Sequence, residues 1–324
     1  MKTYIVLLFL IAIVICISLG MGAYSNNFKE IIISFQDKNQ NNEVLRHVVI
    51  NIRLPRIIMV SLVGGGLSVA GATLQGVFQN PLVSPDLLGV SSGAGLGAII
   101  GIVFFGNMLI VNSLSLIMGL SSIIIVYVVS NNNLDDRLTG LILSGVTISA
   151  FYNSLIALMK FLADTDKQLP AITYWLMGSF SESSYEQVKM AIFPILLSCF
   201  GIFINQKKIH ILSLGDEEAF SLGINPNKTR LFFILCSTVI TTFSVIVSGI
   251  VGWIGLIVPH LAKRIIGIQY DKLLFTSFLL GILLLNVIDL LSRAITASEL
   301  PIGIFTAIVG APLFIILNKR GNME

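Results

Sequence analysis

Leu273-Leu-Phe-Thr-Ser-Phe-Leu-Leu-Gly-Ile-Leu-Leu-Leu-Asn-Val-Ile288 is apolar almost throughout and does not alternate polar with apolar positions. A strand of a membrane β-barrel would alternate, in segments of about 10 residues. An unbroken run suits a helix lodged in lipid, where backbone N–H and C=O groups must find partners within the segment itself. The run from Ile99 to Phe105 has the same character, and similar runs recur in both directions, separated by short polar clusters. A window of about 19 residues gives about ten spans. They fall at 4–21, 57–75, 87–105, 109–129, 138–159, 190–204, 230–248, 253–268, 273–292 and 302–317. The predicted fold class is therefore an all-α integral membrane protein, with residues 1–324 as a single membrane domain.

Composition agrees. Hydrophobic residues fill 55% of the 324 positions and charged residues only 11%, with a mean hydropathy of +0.91. A soluble domain of this size needs more charge to coat its surface; a membrane domain is coated by lipid. The formal net charge is +3 and no basic stripe is present, so no nucleic-acid partner is expected. Cys16, Cys199 and Cys236 all lie in apolar runs without a CxxC pair, which points to neither a metal site nor a disulfide framework, and no cofactor is implied. Lys2, the apolar run to Leu19 and Gly20-Met21-Gly22-Ala23 resemble a secretory signal. The run is long enough to span and many spans follow it, so it is expected to be an uncleaved first helix.

Orientation follows from Lys and Arg near span ends. One side carries Lys2, Arg137, Lys207, Lys208, Lys228, Arg230, Lys263, Arg264, Lys272, Lys319 and Arg320. The other carries Lys29, Lys38, Arg46, Arg53, Arg56, Lys160, Lys167, Lys189 and Arg293. The first set is denser close to the helix ends, which puts both termini in the cytoplasm of a multi-pass protein of the cytoplasmic or inner membrane. Segments 25–51 and 160–186 then face outward, and 206–229 faces the cytosol. Gly64-Gly65-Gly66, Ser68 with Ala72, and Gly93 with Gly97 form small-residue faces for close helix packing. Asn80-Pro81-Leu82, Pro85 and Pro259 are expected to interrupt regular helix, and backbone freed at that depth must be buried in protein or line a wet cavity.

Several residues suggest function. Arg53 and Arg56 in Arg53-Leu-Pro-Arg56 share one helix face. They could hold lipid phosphate, or bind acidic side chains of a partner through their planar forks. Ser213 followed by Asp216 has the spacing of a capping box, and Gly223 suits a helix stop, so a short amphipathic helix is expected between them. Gly223-Ile-Asn-Pro-Asn-Lys228-Thr229 is not a phosphate-binding loop. It lacks the second glycine, its lysine comes one residue early, and Pro226 removes an N–H that a phosphate cradle needs. His260 has no ligand-type neighbours in sequence and is expected to be a hydrogen-bonded structural histidine. Asp86 and Asp289 sit at span ends, whereas an ion-coupled carrier more often buries an ionisable group near mid-bilayer.

The longer motifs carry a family resemblance. Arg53-Leu-Pro-Arg56 is followed by Ser68-Val-Ala-Gly71-Ala-Thr-Leu-Gln75. Gln79-Asn80-Pro81-Leu82-Val-Ser-Pro85-Asp-Leu-Leu-Gly89-Val-Ser-Ser-Gly93-Ala94 comes next. Ile172-Thr-Tyr-Trp175-Leu-Met-Gly178-Ser and Leu214-Gly215-Asp216-Glu217-Glu-Ala219-Phe-Ser-Leu222-Gly223 come after these. Gly252-Trp-Ile-Gly255-Leu-Ile-Val-Pro259-His260-Leu-Ala-Lys-Arg264 and Glu299-Leu-Pro301-Ile-Gly303, with Gly310-Ala-Pro312-Leu-Phe314, complete the series. In this order the blocks resemble the FecCD-type ABC permeases, the membrane subunits of importers for ferric siderophores, haem and cobalamin. The resemblance runs from about residue 50 to the end.

The resemblance implies a type II ABC importer permease fold of ten helices. It also implies two cytosolic ABC ATPase subunits, an extracytoplasmic substrate-binding protein and a second permease subunit, either a copy or a paralogue. The chain itself would hydrolyse nothing. Arg53, Arg56 and Arg293 look like the residues that dock the binding protein; for Arg293, a pair with Asp289 one helical turn away is the competing and compatible reading. Gly215, Asp216, Glu217, Glu218, Ala219, Phe220, Leu222 and Gly223 look like the helix that seats in the ATPase. Leu138 and Thr139 are candidates for the inner gate. Ser144, Thr147 and Asn153 give the fifth span a mildly polar set for the path, and Leu143-Ser144-Gly145-Val146 is another placement of the gate. The implied cargo is a ferric siderophore or similar iron chelate, with haem, cobalamin and molybdate as alternatives. An ion-coupled secondary carrier is the rival class. A polytopic membrane enzyme is weaker, because no cluster of His, Cys or carboxylate is evident.

Overall fold

The computed structural model describes residues 2–21, 40–130, 137–295 and 299–321, and helices account for nearly all of them. In chain order they are α1 (Lys2–Gly20), α2 (Gln40–His47), α3 (Leu54–Val77), α4 (Val90–Phe104), α5 (Met108–Ser130), α6 (Arg137–Leu162) and α7 (Gln168–Met177). Next come α8 (Tyr185–Ile204), α9 (Gln206–Leu212), α10 (Asp216–Ser221), α11 (Pro226–Ser248), α12 (Ile254–Ile266), α13 (Tyr270–Ile295) and α14 (Ile302–Gly321). A π-helical turn, Val48–Arg53, leads into α3, and a 3-10 turn, Pro85–Leu88, leads into α4. Of the segment 25–51, the part before residue 40 lies outside the described residues, as does 131–136 of the α5–α6 turn.

The ten spans expected from hydropathy each fall on a helix. Seven helical stretches are long and apolar enough to cross a membrane, while Val90–Phe104 and Ile302–Leu317 are shorter apolar helices. The span expected at 253–268 is met by a short helix. Its helix, α12, has 13 residues, or roughly 20 Å against a hydrocarbon core of about 30 Å. Residues 249–253 before it are not helical. Such backbone is tolerated at depth only when buried in protein, and here the end of α7 covers it. Ser179 N–H donates to Ser248 O at 2.9 Å, and Ile302 N–H donates to Gly178 O at 3.0 Å.

α3 is the centre of the molecule. It packs against α8, α11, α12 and α13, and most of its length is buried. Glycine makes this possible at the α13 crossing: a Cβ on Gly64 would run into the Gly281 carbonyl, and one on Gly281 into the Gly64 carbonyl. Gly93 and Gly97 serve α4 in the same way against the α5 backbone at Met118 and Leu114. α1 packs along α13 through Leu7, Ile11 and Leu279, with Tyr4 edge-on to Phe275 at 5.3 Å. It leaves Ile5, Leu8 and Phe9 exposed, as a helix facing lipid should.

The proline expectations divide. After α3 the chain breaks at Asn80-Pro81-Leu82, where Asn80 Oδ1 accepts the Leu82 N–H at 2.9 Å, and at the Pro85 turn. Pro259 instead lies inside α12. Its missing N–H leaves the Gly255 carbonyl without a helical partner, and that carbonyl packs against Gly71 so closely that a Cβ there could not fit. Gln75 of α3 donates to the next carbonyl, Leu256 O, at 3.2 Å, and accepts from Lys263 Nζ at 3.0 Å. His260 is hydrogen-bonded, its Nδ1 to Leu256 O at 2.8 Å, and its ring meets Phe314 edge-on.

Candidate functional site

Both ends of α3 hold clusters of polar side chains. At the N-terminal end, Arg53, Arg56 and Arg293 come together. Arg56 Nε and Nη2 each lie 2.9 Å from Asp289 Oδ1. Its Nη1 donates to both Glu299 oxygens at 2.8 and 3.0 Å. Arg293 Nη2 sits 3.0 Å from Asp289 Oδ2, the one-turn pair considered from spacing, and also donates to Ser18 Oγ. Arg53 Nη1 donates to Leu19 O at 2.6 Å. The Arg56 and Asp289 side chains are 5% and 0% exposed, while Glu299 keeps 32%. The guanidiniums are thus engaged inside the chain, and the carboxylate nearest solvent is Glu299, on backbone with φ 47°. Such a φ is unfavourable for a residue with a side chain.

The C-terminal end of α3 meets the 206–229 segment. Gln79 Nε2 donates to Leu212 O at 2.8 Å, and Ile209 of α9 packs over Gly76. α10 is a helix of 6 residues whose first turn holds Asp216, Glu217 and Glu218, favourable beside a helix N-terminus. Ser213 does not cap it. Gly215 occupies that place, with φ 136°, and Ser213 Oγ turns back to His210 O at 2.6 Å. Asp216 is taken instead by Arg230: Nη2 to Oδ1 is 2.6 Å and Nη1 to Oδ2 is 3.3 Å. The buried Arg230 also reaches Val77 O at 3.4 Å, so one guanidinium links α10, α11 and α3. Gly223 ends α10 as expected. At φ 76° its N–H bonds Phe220 O, and Ile224 N–H bonds Ala219 O, both at 2.9 Å. This pair of bonds satisfies the last carbonyls of the helix. Ala219 is fully buried beneath α10, whereas Phe220 and Leu222 are 59% and 60% exposed, a large apolar outlay for so short a helix. Residues 223–229, which imitate a phosphate loop, are the start of α11: Asn225 Oδ1 accepts the Lys228 N–H at 3.1 Å, and Pro226 sits in the first turn.

α6 carries the path candidates. Thr139, Thr147 and Asn153 are exposed, Leu138 is half-buried, and Ser144 is buried. Gly145 presses on the backbone of Leu87 and Leu88, placing that side of α6 against the 3-10 turn. In the same turn Asp86 is half-buried and its carboxyl accepts from Ser91 Oγ. Burial pushes the Asp86 carboxyl above the usual carboxylate range, against the opposing pull of the Ser91 hydroxyl.

Some functional residues escaped sequence reasoning. Glu299 and Arg230 lie far in sequence from their partners, and no local spacing links them. α7 lies in the outward-facing segment 160–186, where hydropathy gives no span, although Asp164 announces it: its Oδ1 accepts from Asp166 and Lys167 N–H at 3.0 and 2.8 Å. That is an Asx turn opening a helix.

Known proteins resemble this chain in sequence and fold. The FecCD transport family matches residues 10–320. The molybdate import system permease protein of Haemophilus influenzae is 35% identical over 322 residues, covering 97% of this chain and 95% of that protein. The hemin transport system permease protein of Yersinia pestis is 34% identical over 321 residues, covering 96% and 94%. A solved structure of a metal-chelate type ABC transporter in an inward-facing conformation superposes with a TM-score of 0.90 at 34% identity, covering 98% of this chain and 99% of that one. Matched along almost its whole length in both sequence and fold, the chain belongs to the FecCD transport family.

Proposed function

We propose that this chain is the permease subunit of an ABC importer for an iron chelate, moving its cargo by alternating access driven by partner ATPases. The observation that carries the reading is α10. Its exposed Phe220 and Leu222 form an apolar tip, Glu217 and Glu218 form an acidic rim, and Asp216 is tied through Arg230 to α11 and α3. A load on the tip is transmitted to two spans, as rigid-body switching needs. The tip seats in one of two cytosolic ATPases, which places both termini in the cytoplasm. The Arg53–Arg56–Arg293 cluster then lies on the outer side; with its guanidiniums held by Asp289 and Glu299, it serves an extracytoplasmic binding protein by fixing the surface that meets it. The exposed faces of α6 and α14 meet a second permease subunit, a copy or a paralogue, across the path. Leu138 and Thr139 stand at its inner end, and Ser144, Thr147 and Asn153 lie along α6. A bulky chelate needs such a path to be wide and to lack a tight site.

The test uses residues that the fold does not need. Glu217→Lys, Phe220→Ala and Leu222→Ala together should abolish uptake and ATPase association while leaving the protein inserted. Intact uptake with normal association would defeat the reading. An ion-coupled carrier would transport in vesicles without any ATPase and be stopped by an ionophore. The relative that carries molybdate favours a second cargo. Uptake of radiolabelled ferric siderophore, haem, cobalamin and molybdate, with and without the gene, separates them: loss of chelate uptake alone supports iron, and loss of molybdate alone moves the cargo.

A further inference from the structure

Where α8 ends and α11 begins, a cavity of about 300 Å³ is lined by Asn205, Lys208, Lys228, Thr229 and Phe232. Two ammonium groups share it and no carboxylate lines it. Among the described residues neither lysine enters an ion pair; Asp216 is taken by Arg230, and Glu217 and Glu218 stand exposed on α10, outside the cavity lining. The first turn of α11, a helix of 23 residues, adds its own positive end to the same place. The charge of the cavity therefore calls for an anion.

What lies beside the cavity decides the kind of anion. α8 and α11 run side by side from here. Gly201 admits the Phe232 ring, which would sit 3.3 Å from a Cβ at that position. Phe200, Ile204, Phe232 and Leu235 continue the surface away from the lysines, and all four are exposed. These residues belong to spanning helices, so water does not cover them. A free inorganic anion would satisfy the lysines and leave the apolar track bare. An occupant that satisfies both has an anionic head and a hydrocarbon body at the depth of the membrane interface. We propose that this cavity is a binding site for an anionic phospholipid, its phosphate held by Lys208 and Lys228 and an acyl chain lying along Phe200, Ile204, Phe232 and Leu235.

The placement gives such a lipid a consequence. Lys208 and Lys228 flank the stretch that contains α10, one on α9 before it and one at the start of α11 after it. A phosphate between them ties the two roots of that stretch together. Any effect on ATP-driven uptake rests on the proposed role of α10; lipid retention does not, and it is the primary readout.

The whole transporter, purified from membranes, is placed in nanodiscs of phosphatidylcholine with or without phosphatidylglycerol, and retained lipid is read by native mass spectrometry. Wild type is expected to retain phosphatidylglycerol in preference to phosphatidylcholine. Lys208→Gln with Lys228→Gln should weaken that retention by roughly 30-fold, from about 1 kcal/mol per lysine at a membrane surface. Lys167→Gln with Lys189→Gln, the same charge change at the starts of α7 and α8 and outside the cavity, should leave it unchanged. Phe232→Ala should weaken retention without altering the preference for the anionic head. Equal retention of both lipids by wild type, or equal loss in the control pair, would overturn the site. Displacement by inorganic phosphate would show an ion site that makes no use of the apolar track, and would overturn it too.

Discussion

Asp289 holds two guanidiniums at once, one oxygen toward Arg56 and the other toward Arg293, with no exposure of its own. A buried ion pair adds little net stability, but removing one partner strands the other in a medium that cannot solvate it. Asp289→Asn is therefore expected to cost about 3–5 kcal/mol, seen as a large drop in thermal stability of the detergent-solubilised protein. Glu299→Gln should cost a fraction of that, since its carboxylate is partly solvated. Asp86 behaves in the opposite sense. Its folded value lies above the ordinary 3.8, so the folded state holds the proton more firmly than the unfolded state does. Stability is then fullest at acid pH and falls as pH rises toward the raised value. Asp86→Asn keeps the shape without the charge, so it should be at least as stable as wild type at neutral pH, with a flatter stability profile on the acid side. A variant that melts well below wild type at neutral pH would show that the ionised carboxylate is needed.

α10 is too short to hold itself together, since isolated helices below about 12 residues are marginal in water. Its order comes from the Asp216–Arg230 bridge, the buried Ala219 and the two closing bonds at Gly223. Asp216→Asn should loosen it without touching the exposed tip. Losing about 1.4 kcal/mol of that tether predicts roughly tenfold lower uptake, while ATPase association persists; unchanged uptake would mean that α10 needs no anchor. Elements were legible in the sequence where local chemistry decides them. The apolar runs gave every long helix, and Gly223 gave the end of α10. Local chemistry also misled: the spacing of Ser213 and Asp216 suggested a cap, but Arg230, 14 residues on, outbid the local backbone for Asp216. The 13-residue α12 is hard to bound from sequence because the residues on either side of it, Trp253 and Gly267-Ile268, are as apolar as the helix itself. Among the site residues, clustering of Arg53, Arg56 and Arg293 was readable, but their burial beside Glu299 was not, because it depends on contacts across 243 positions.

At the scale of the molecule, the uneven covering of the helices separates a core from a periphery. The hydropathy window of α6 is 28% buried, against 89% for the window that includes α3. A single cysteine at Thr147 (Thr147→Cys), on the exposed face, should react with a charged thiol reagent in the assembled transporter, at a rate that changes when ATP is added. Ser144→Cys, on the buried face, should stay unreactive. Equal reactivity of both would mean that α6 turns its other side to the path.

The burial of α3 also bears on how the protein is made. α3 leaves the ribosome early, carrying Arg53, Arg56, a run of glycines and Gln75, a composition ill suited to sit alone in oil. The groups that neutralise and cover it arrive late: Asp289 is 233 positions downstream of Arg56, and Gly281 must be in place before the crossing at Gly64 can close. The insertion machinery must therefore shelter this helix until α13 has been synthesised. A chain interrupted before that point exposes charge and bare backbone to the bilayer, which is what membrane quality control removes.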